Sequence, residues 1–349
     1  MKIINIVVLT SNPTLVLLVT LVSFIFQINQ ANFILVKVNR SMSQISGSHK
    51  TVSESNTSEW SDLEPDWMHD DFVIFKMIDF EDHQVGDYTN SQFRKDWKSN
   101  RELYQPNTSK IMSVDDKKVL GNYYPQGTWG RGGGLNQWVR ISPYVSDIEE
   151  IYMTYRIKFQ KEFDWGLVGK LPGFSLGPVQ TVASGGDGPN IGNKGASTRM
   201  LWLENGKLCL YVYHHNMKYK YGDDMGIGSF GQLVSGIWHE VTLRIVCNDV
   251  GKENGIMQVW LDGKLVATSN KIELRTERSP QHLEEIAIST FMGGADVRFA
   301  SAKDQFMFID DIYIWKYSES YLARNPSVPY GQNLHIISDK LYNPLQIQQ

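Results

Sequence analysis

Two short stretches decide the fold: Ser197-Thr198-Arg199-Met200-Leu201-Trp202 and Leu208-Cys209-Leu210-Tyr211-Val212-Tyr213. In both, a mainly apolar set at every second position alternates with a set that carries hydroxyl, guanidinium and phenol groups. Successive side chains of a β-strand point to opposite faces of the sheet. The pattern therefore predicts two strands with one face in the core, while the other face presents Ser197, Arg199, Tyr211 and Tyr213.

Further strand signals follow one another along most of the chain. Apolar residues alternate with polar ones from Ile151 to Phe159 and from Val241 to Ile245, and Asp262-Gly263 after a third such run predicts a hairpin. Strands are also expected over 286–291 and 306–315. Since no amphipathic helix of convincing length interrupts the series, the sequence predicts an all-β fold, a sandwich of two antiparallel sheets.

A curved sheet of such a sandwich can leave its outer face as a concave groove that fits a long polymer. The glycine-rich segments Gly130–Gly134 and Gly185–Gly195 are too long for tight turns, and we expect them to be loops beside the groove. The charge balance limits the partner. With a net charge of −4, the chain has no global basic field, which argues against nucleic acid.

The 349 residues, 42% of them apolar, suffice for one large domain with terminal extensions. We expect a signal peptide over 1–31, a flexible polar linker over 32–68, the β-sandwich domain over 69–330 and a C-terminal tail over 331–349. An uncleaved N-terminal anchor is the alternative, and it is the one case in which we expect a membrane partner. The expected location is extracellular, and N-glycosylation sequons at Asn39, Asn56 and Asn107 are compatible with it.

Other chemistries find little support. Two cysteines, Cys209 and Cys247, make no disulfide framework, and a bridge between them is not the preferred interpretation. The adjacent His214 and His215 would point to opposite faces of a strand, so we expect neither a metal site nor a cofactor. By alternation, His215 falls on the tyrosine face and is expected to contact substrate. A compact run of carboxylates for a glycoside hydrolase is also missing.

Lys170 completes a set of groups that suits an anionic, oxygen-rich substrate. Singly, each member has an ordinary explanation, such as a solvated lysine, a surface ion pair or a tyrosine packing ladder. Together they provide what β-elimination from a uronate requires. Arg199 and Ser197 would neutralise the carboxylate that acidifies C5, while Lys170, Tyr211 and Tyr213 would remove the C5 proton and protonate the departing O4. The sequence leaves base and acid unassigned among these three.

The same residues carry a family resemblance. Gly169-Lys170-Leu171-Pro172-Gly173, the two opening stretches, Asn254–Gly263, Ser289–Gly294 and Ala300–Gln305 together resemble polysaccharide lyase family 14. The resemblance implies a jelly-roll β-sandwich and endo-type eliminative cleavage of β-1,4-linked polyuronates such as alginate or glucuronan. It maps the family's lysine, Ser-x-Arg and Tyr-x-Tyr onto Lys170, Ser197, Arg199, Tyr211 and Tyr213.

From this resemblance we expect a monomeric lyase that binds an anionic polysaccharide, with mannuronate-rich alginate favoured and Lys303 as a further substrate contact. The choice between mannuronate and glucuronate stays open. The alternative from another class is a non-catalytic, lectin-like sandwich, because a sandwich fold alone does not dictate function.

Overall fold

The computed structural model describes residues 71–325, apart from Tyr144 and residues 226–230. The predicted signal peptide, the linker and the C-terminal tail lie outside the described residues. Among the described residues, no helix is long and apolar enough to cross a membrane. The described chain is nearly all β, as predicted, and its strands pair into two antiparallel sheets.

The larger sheet has the strand order β13-β12-β11-β6-β16-β4-β3-β2, and β1 also pairs with β16. Its strands are β1 (Phe72–Ile78), β2 (Gly86–Asp87), β3 (Ser109–Val114), β4 (Lys117–Tyr124), β6 (Glu150–Phe159), β11 (Trp238–Val246), β12 (Gly255–Leu261), β13 (Lys264–Ile272) and β16 (Gln305–Tyr317). The predicted strands over 151–159, 241–245 and 306–315 are therefore confirmed.

The smaller sheet has the order β10-β9-β8-β7-β14-β5, and β15 also pairs with β7. Its strands are β5 (Trp138–Arg140), β7 (Val168–Leu176), β8 (Ser197–Leu203), β9 (Leu208–Tyr213), β10 (Asp223–Met225), β14 (Leu283–Ala287) and β15 (Phe291–Met292). The two stretches that open the sequence analysis are β8 and β9, at neighbouring positions in this sheet.

The core lies between the sheets, as expected for a sandwich. Each sheet contributes every second side chain of its strands to one buried apolar cluster; those of the smaller sheet include Met200, Trp202, Leu208, Leu210 and Val212, and those of the larger sheet include Ile151, Met153, Val241, Leu243 and Val259. Burial of this apolar surface is the main force that holds the sheets together. It also leaves the other face of the smaller sheet for polar chemistry.

The turn between β12 and β13 and the two short helices have the residues that such elements favour. Asp262 and Gly263 both have positive φ, 50° and 74°, in the predicted hairpin between β12 and β13. A short helix, α1 (Asn90–Trp97), lies in the first third of the described chain, and Thr89 and Gln92 form its capping box. A second, α2 (Glu319–Arg324), follows β16.

One predicted strand is wrong in detail. The run 286–291 is divided between β14 and β15: Ala287 pairs with Gly173 and Phe291 pairs with Lys170, so four residue steps on this side face three on β7, and the segment between the two strands leaves the ladder. Between the two strands, the backbone pairs instead with the segment at Leu135. The Thr290 amide donates to the Leu135 carbonyl, and the Leu135 amide donates to the Thr290 carbonyl.

Candidate active site

A β-bulge in β7 places Lys170. On β8, Arg199 and Leu201 are two residues apart, but their partners on β7, Gly173 and Lys170, are three apart. Pro172 lies inside the bulge, where its lack of an N–H makes regular pairing unfavourable. The extra residue reverses the alternation along β7, so Lys170 and Gly173 share the face on which Arg199 lies.

Gly173 lies directly against β8. A Cβ atom at this position would collide with the carbonyl oxygen of Thr198 and approach the Arg199 backbone. Glycine therefore permits the close approach of the two strands beneath the arginine. Gly169, at the other side of the bulge, is in a similar position because a Cβ there would overlap the Trp202 ring.

The pairing of β8 with β9 aligns the polar residues of both strands. Arg199 is opposite Tyr211, and Ser197 is opposite Tyr213. Residues that are directly opposite each other in an antiparallel pair have side chains on the same face. This register agrees with the alternation seen in the sequence.

These side chains line a cavity of about 920 Å³ on the open face of the smaller sheet. Its walls include all five residues of the predicted catalytic set, Lys170, Ser197, Arg199, Tyr211 and Tyr213. Trp138 on β5 and Gly185 in one of the two glycine-rich segments also line it. The volume is within the range of specific ligand sites.

Lys170 lies against Tyr211. Its ammonium nitrogen is 3.5 Å from the centre of the tyrosine ring, a cation–π contact. Burial and, next, the charge of Arg199 lower the pKa of Lys170 to about 7. A lysine with this pKa is substantially neutral near neutral pH and can accept a proton.

The two phenols form a hydrogen-bonded pair. The hydroxyl oxygens of Tyr211 and Tyr213 are 3.1 Å apart. The backbone amide of Gly222 donates to the Tyr211 hydroxyl at 3.2 Å, and that of Gly186 donates to the Tyr213 hydroxyl at 3.1 Å. Burial raises the pKa of Tyr211 well above its usual value, so this phenol keeps its proton at neutral pH.

Arg199 supplies the fixed positive charge of the cavity. Its guanidinium carbon is 5.0 Å from the centre of the Trp138 ring. Burial lowers the pKa of Arg199 to about 10, with the neighbouring tyrosines opposing the shift, so the side chain remains cationic near neutral pH. A planar guanidinium stacked on an indole is well placed to receive a carboxylate.

Ser197 is engaged differently from its partners. Its buried hydroxyl donates a hydrogen bond of 2.5 Å to the carbonyl oxygen of Ala183. That proton is therefore occupied within the protein. In this geometry Ser197 fixes the segment that leads to Gly185 and Gly186, and its oxygen remains able to accept.

Comparison with known families now decides the class of the protein. The family model described as Polysaccharide lyase 14 matches residues 113–312, which contain the whole cavity-lining set described above. This chain belongs to polysaccharide lyase family 14. The protein is thus a polysaccharide lyase, and the family assignment favours an enzyme over the lectin-like alternative.

Solved structures agree with the fold of this lyase. The alginate lyase Aly36B is 25% identical, with a TM-score of 0.59 over 68% of this chain and 95% of that one. A double variant of Aly36B in complex with alginate trisaccharide is 26% identical, with a TM-score of 0.59 over 68% and 96% of the two chains. The PL-14 alginate lyase from Aplysia kurodai is 21% identical, with a TM-score of 0.60 over 69% and 98%. A comparison with curated proteins found no match.

Sequence reasoning missed one acidic residue of the lyase. Asp224 on β10 lines the cavity and is the partner of Tyr211 in the β9–β10 ladder. Burial raises the pKa of this carboxyl group, while the charge of Lys170 opposes the rise. Its negative charge in turn raises the pKa of Lys170. The Asp223-Asp224-Met225 triplet after β9 was the available signal in the sequence. Its pairing with β9 depends on the conformation of the loop between them, which the sequence pattern does not give.

Two expected substrate contacts are not among the residues that line the lyase cavity. His215 lies two residues beyond the end of β9, where the chain turns, so strand alternation no longer sets the direction of its side chain. Its backbone amide donates to the carbonyl oxygen of Glu273. Lys303 instead donates to the carbonyl oxygen of Glu162. The cysteines Cys209 and Cys247 are both buried and free.

Proposed function

We propose that this lyase cleaves β-1,4-linked polyuronates by β-elimination, with mannuronate-rich alginate as the favoured substrate and glucuronan as the other candidate. The observation that carries the proposal is the convergence of Lys170, Arg199 and Tyr211 on one cavity. The alginate trisaccharide bound by the similar lyase Aly36B supports an acidic polysaccharide as the ligand class.

Arg199 prepares the substrate. A uronate carboxylate that pairs with the guanidinium loses most of its negative charge, which allows electron density to flow into it as the C5–H bond breaks. Asn136 also lines the cavity and can donate a further hydrogen bond. Stabilisation of charge that develops at the carboxylate is what lowers the barrier to removing a weakly acidic C5 proton.

Lys170 is the proposed base. Its pKa of about 7 leaves a substantial neutral fraction at neutral pH, so its lone pair can take the C5 proton. The electrons of the C5–H bond form the C4–C5 double bond, and the C4–O4 bond breaks. The lysine ends this step as an ammonium.

Tyr211 is the proposed acid. It keeps its proton until O4 departs, and donation of that proton completes a hydroxyl group on the leaving sugar. Tyr213 and the Gly222 amide hold the phenol oxygen in place. The products are a new non-reducing end with a C4–C5 double bond and a normal reducing end, so atoms and charge balance without an added reagent.

The proposed location follows from the sequence of the N terminus. We propose that residues 1–31 direct the enzyme to the secretory route and that the mature extracellular protein consists of the linker, the domain over 69–330 and the tail. Expression in a secreting host, with N-terminal sequencing of protein from the medium, tests this point. Protein retained in the membrane fraction with an intact N terminus would favour the anchor.

A substrate panel tests the activity. The protein is incubated with polymannuronate, polyguluronate and glucuronan, and the conjugated product is followed by absorbance at about 235 nm. We expect a rise on polymannuronate or glucuronan that is abolished in Lys170→Ala. Binding without any rise would support the lectin-like alternative, and new reducing ends without the chromophore would indicate hydrolysis.

A further inference from the structure

A loop of alternating lysines and tyrosines lies beside the cavity. It joins β9 to β10 and has the sequence Lys218-Tyr219-Lys220-Tyr221. Tyr221 lines the cavity and is 54% exposed, whereas Tyr219 is 71% exposed and is not among the lining residues. The two tyrosines of the loop therefore differ in their relation to the site.

Lys220 accompanies Tyr221. Its ammonium nitrogen is 5.6 Å from the centre of the Tyr221 ring. Within the described residues, Lys220 forms no salt bridge, in contrast to Lys194 on the facing loop, which pairs with Asp187. A cation beside an exposed aromatic ring offers both features that a uronate requires, a flat apolar surface for the sugar ring and a charge for its carboxylate.

The loop has a fixed position relative to the active-site phenols. The Gly188 amide donates to the Lys220 carbonyl at 3.0 Å, which joins this loop to the glycine-rich segment. Gly186 lies beneath both side chains of the pair, since a Cβ there would be 3.3 Å from atoms of Lys220 and Tyr221. Gly222, which directly follows Tyr221, donates its backbone amide hydrogen to the Tyr211 hydroxyl.

The pair lies next to the proposed acid without being part of the catalytic set, which suits contact with a neighbouring sugar of the same chain. Tyr221 is three residues from Asp224, the strand partner of Tyr211, so the chain between them spans at most about 10 Å. We propose that Lys220 and Tyr221 form a distal subsite that holds a uronate unit away from the cleaved bond and favours long substrates. This inference rests on the proposed polyuronate lyase activity and names a part of its substrate site.

Matched variants in the same loop test the subsite. Tyr221→Ala and Lys220→Ala remove the pair, while Tyr219→Ala and Lys218→Ala remove the same residue types outside the cavity. We expect the first two variants to raise KM for the polymer about fivefold, with little change in kcat, and the second two to stay within about twofold of wild type. Tyr221→Phe keeps the ring surface and should resemble wild type.

Binding measurements separate this proposal from the activity itself. Each loop variant is also combined with Lys170→Ala, and its retention by the polymer is measured by affinity electrophoresis. Equal retention and equal KM across the four alanine variants would overturn the subsite while leaving the lyase proposal intact. If wild type gives no unsaturated product but Tyr221→Ala weakens retention, the lyase proposal fails and the subsite stands. No unsaturated product from wild type together with no retention of Lys170→Ala would overturn both.

Discussion

At the scale of single residues, Lys170 determines the expected response of the enzyme to pH. Its pKa of about 7 separates a protonated form that cannot accept a proton from a neutral form that can. We therefore expect kcat/KM to rise with pH and to level off above about 7. Initial rates measured at constant ionic strength check this expectation, and a rate that falls as pH rises from about 6 to about 7.5 would contradict it.

Asp224 adjusts that response. Its carboxylate favours the protonated lysine, so Asp224→Asn should lower the pKa of Lys170 further and shift the acid limb of the pH profile downward by about half a unit to one unit. Asp249→Asn is the control, because Asp249 is exposed and paired with Lys252. An upward shift in Asp224→Asn, or an equal shift in both variants, would remove Asp224 from this role.

Arg199 has the largest expected effect on turnover. Arg199→Ala should reduce kcat/KM about a hundredfold or more, because the charge that develops on the substrate carboxylate loses its partner. Arg199→Lys keeps the charge without the planar donor fork and should recover only part of the loss. Steady-state kinetics on the best polymer of the panel make the comparison, and near-normal turnover in Arg199→Ala would exclude the role.

Strand alternation assigns a side chain to a face only where the backbone is regular. Arg199, Tyr211 and Tyr213 lie within regular strands, where alternation decides the face. His215 lies beyond the end of β9, and Ser197 makes a bond whose acceptor belongs to a distant loop. Alternation describes only regular backbone, so it carries no information on either contact.

At the scale of elements, the bulge in β7 is the feature on which the site depends. Gly173→Ala should destabilise the domain by about 3 kcal/mol, because the added methyl group meets the β8 backbone, and activity should fall as Arg199 is displaced. Gly251→Ala in an open turn is the control, with an expected cost near 1 kcal/mol from its positive φ. Chemical denaturation and polymer cleavage are measured on both variants. Equal stability losses would contradict the close-packing argument.

The bulge in β7 is the part of the strand arrangement that the sequence pattern does not predict. Period-two patterns and the Asp262-Gly263 turn predict β6, β11, β12, β13 and β16 of the larger sheet and β8 and β9 of the smaller one. The reversal of side-chain alternation at Leu171-Pro172 cannot be predicted in this way, because a proline in a strand is compatible with an edge, a strand end or a bulge. The division of the 286–291 run does not follow from periodicity either, because the segment between β14 and β15 pairs with the backbone at Leu135 instead of β7.

At the scale of the whole molecule, a buried carboxyl group in the larger sheet couples stability to pH. Asp310 on β16 is fully buried, neither of its oxygens has a hydrogen-bond partner among the described residues, and Lys117 is 3.8 Å away. Burial and the charge of Asp311 raise the pKa of Asp310 to about 7. Since the unfolded chain releases this proton near pH 4, folding stability should decline between about pH 4 and pH 7.

Asp310→Asn removes the titration. We expect the variant to gain stability relative to wild type at about pH 8 compared with about pH 5, by an amount on the order of a few kcal/mol. Thermal unfolding at the two pH values measures it. Asp311→Asn is the contrasting variant, because Asp311 pairs with Lys117 and Arg156 and its loss should destabilise the fold. An equal stability difference at both pH values would contradict ionisation of Asp310.

The contact between Lys170 and Tyr211 has a further consequence for the complete catalytic cycle. After one elimination, the lysine would hold a proton too many and the tyrosine one too few, with the phenolate held by the Gly222 amide. The ammonium lies over the face of the ring rather than beside the hydroxyl, so the surplus proton has to reach the phenolate through a water or after the lysine side chain moves. The return of the site to its starting state is therefore a step distinct from the elimination itself.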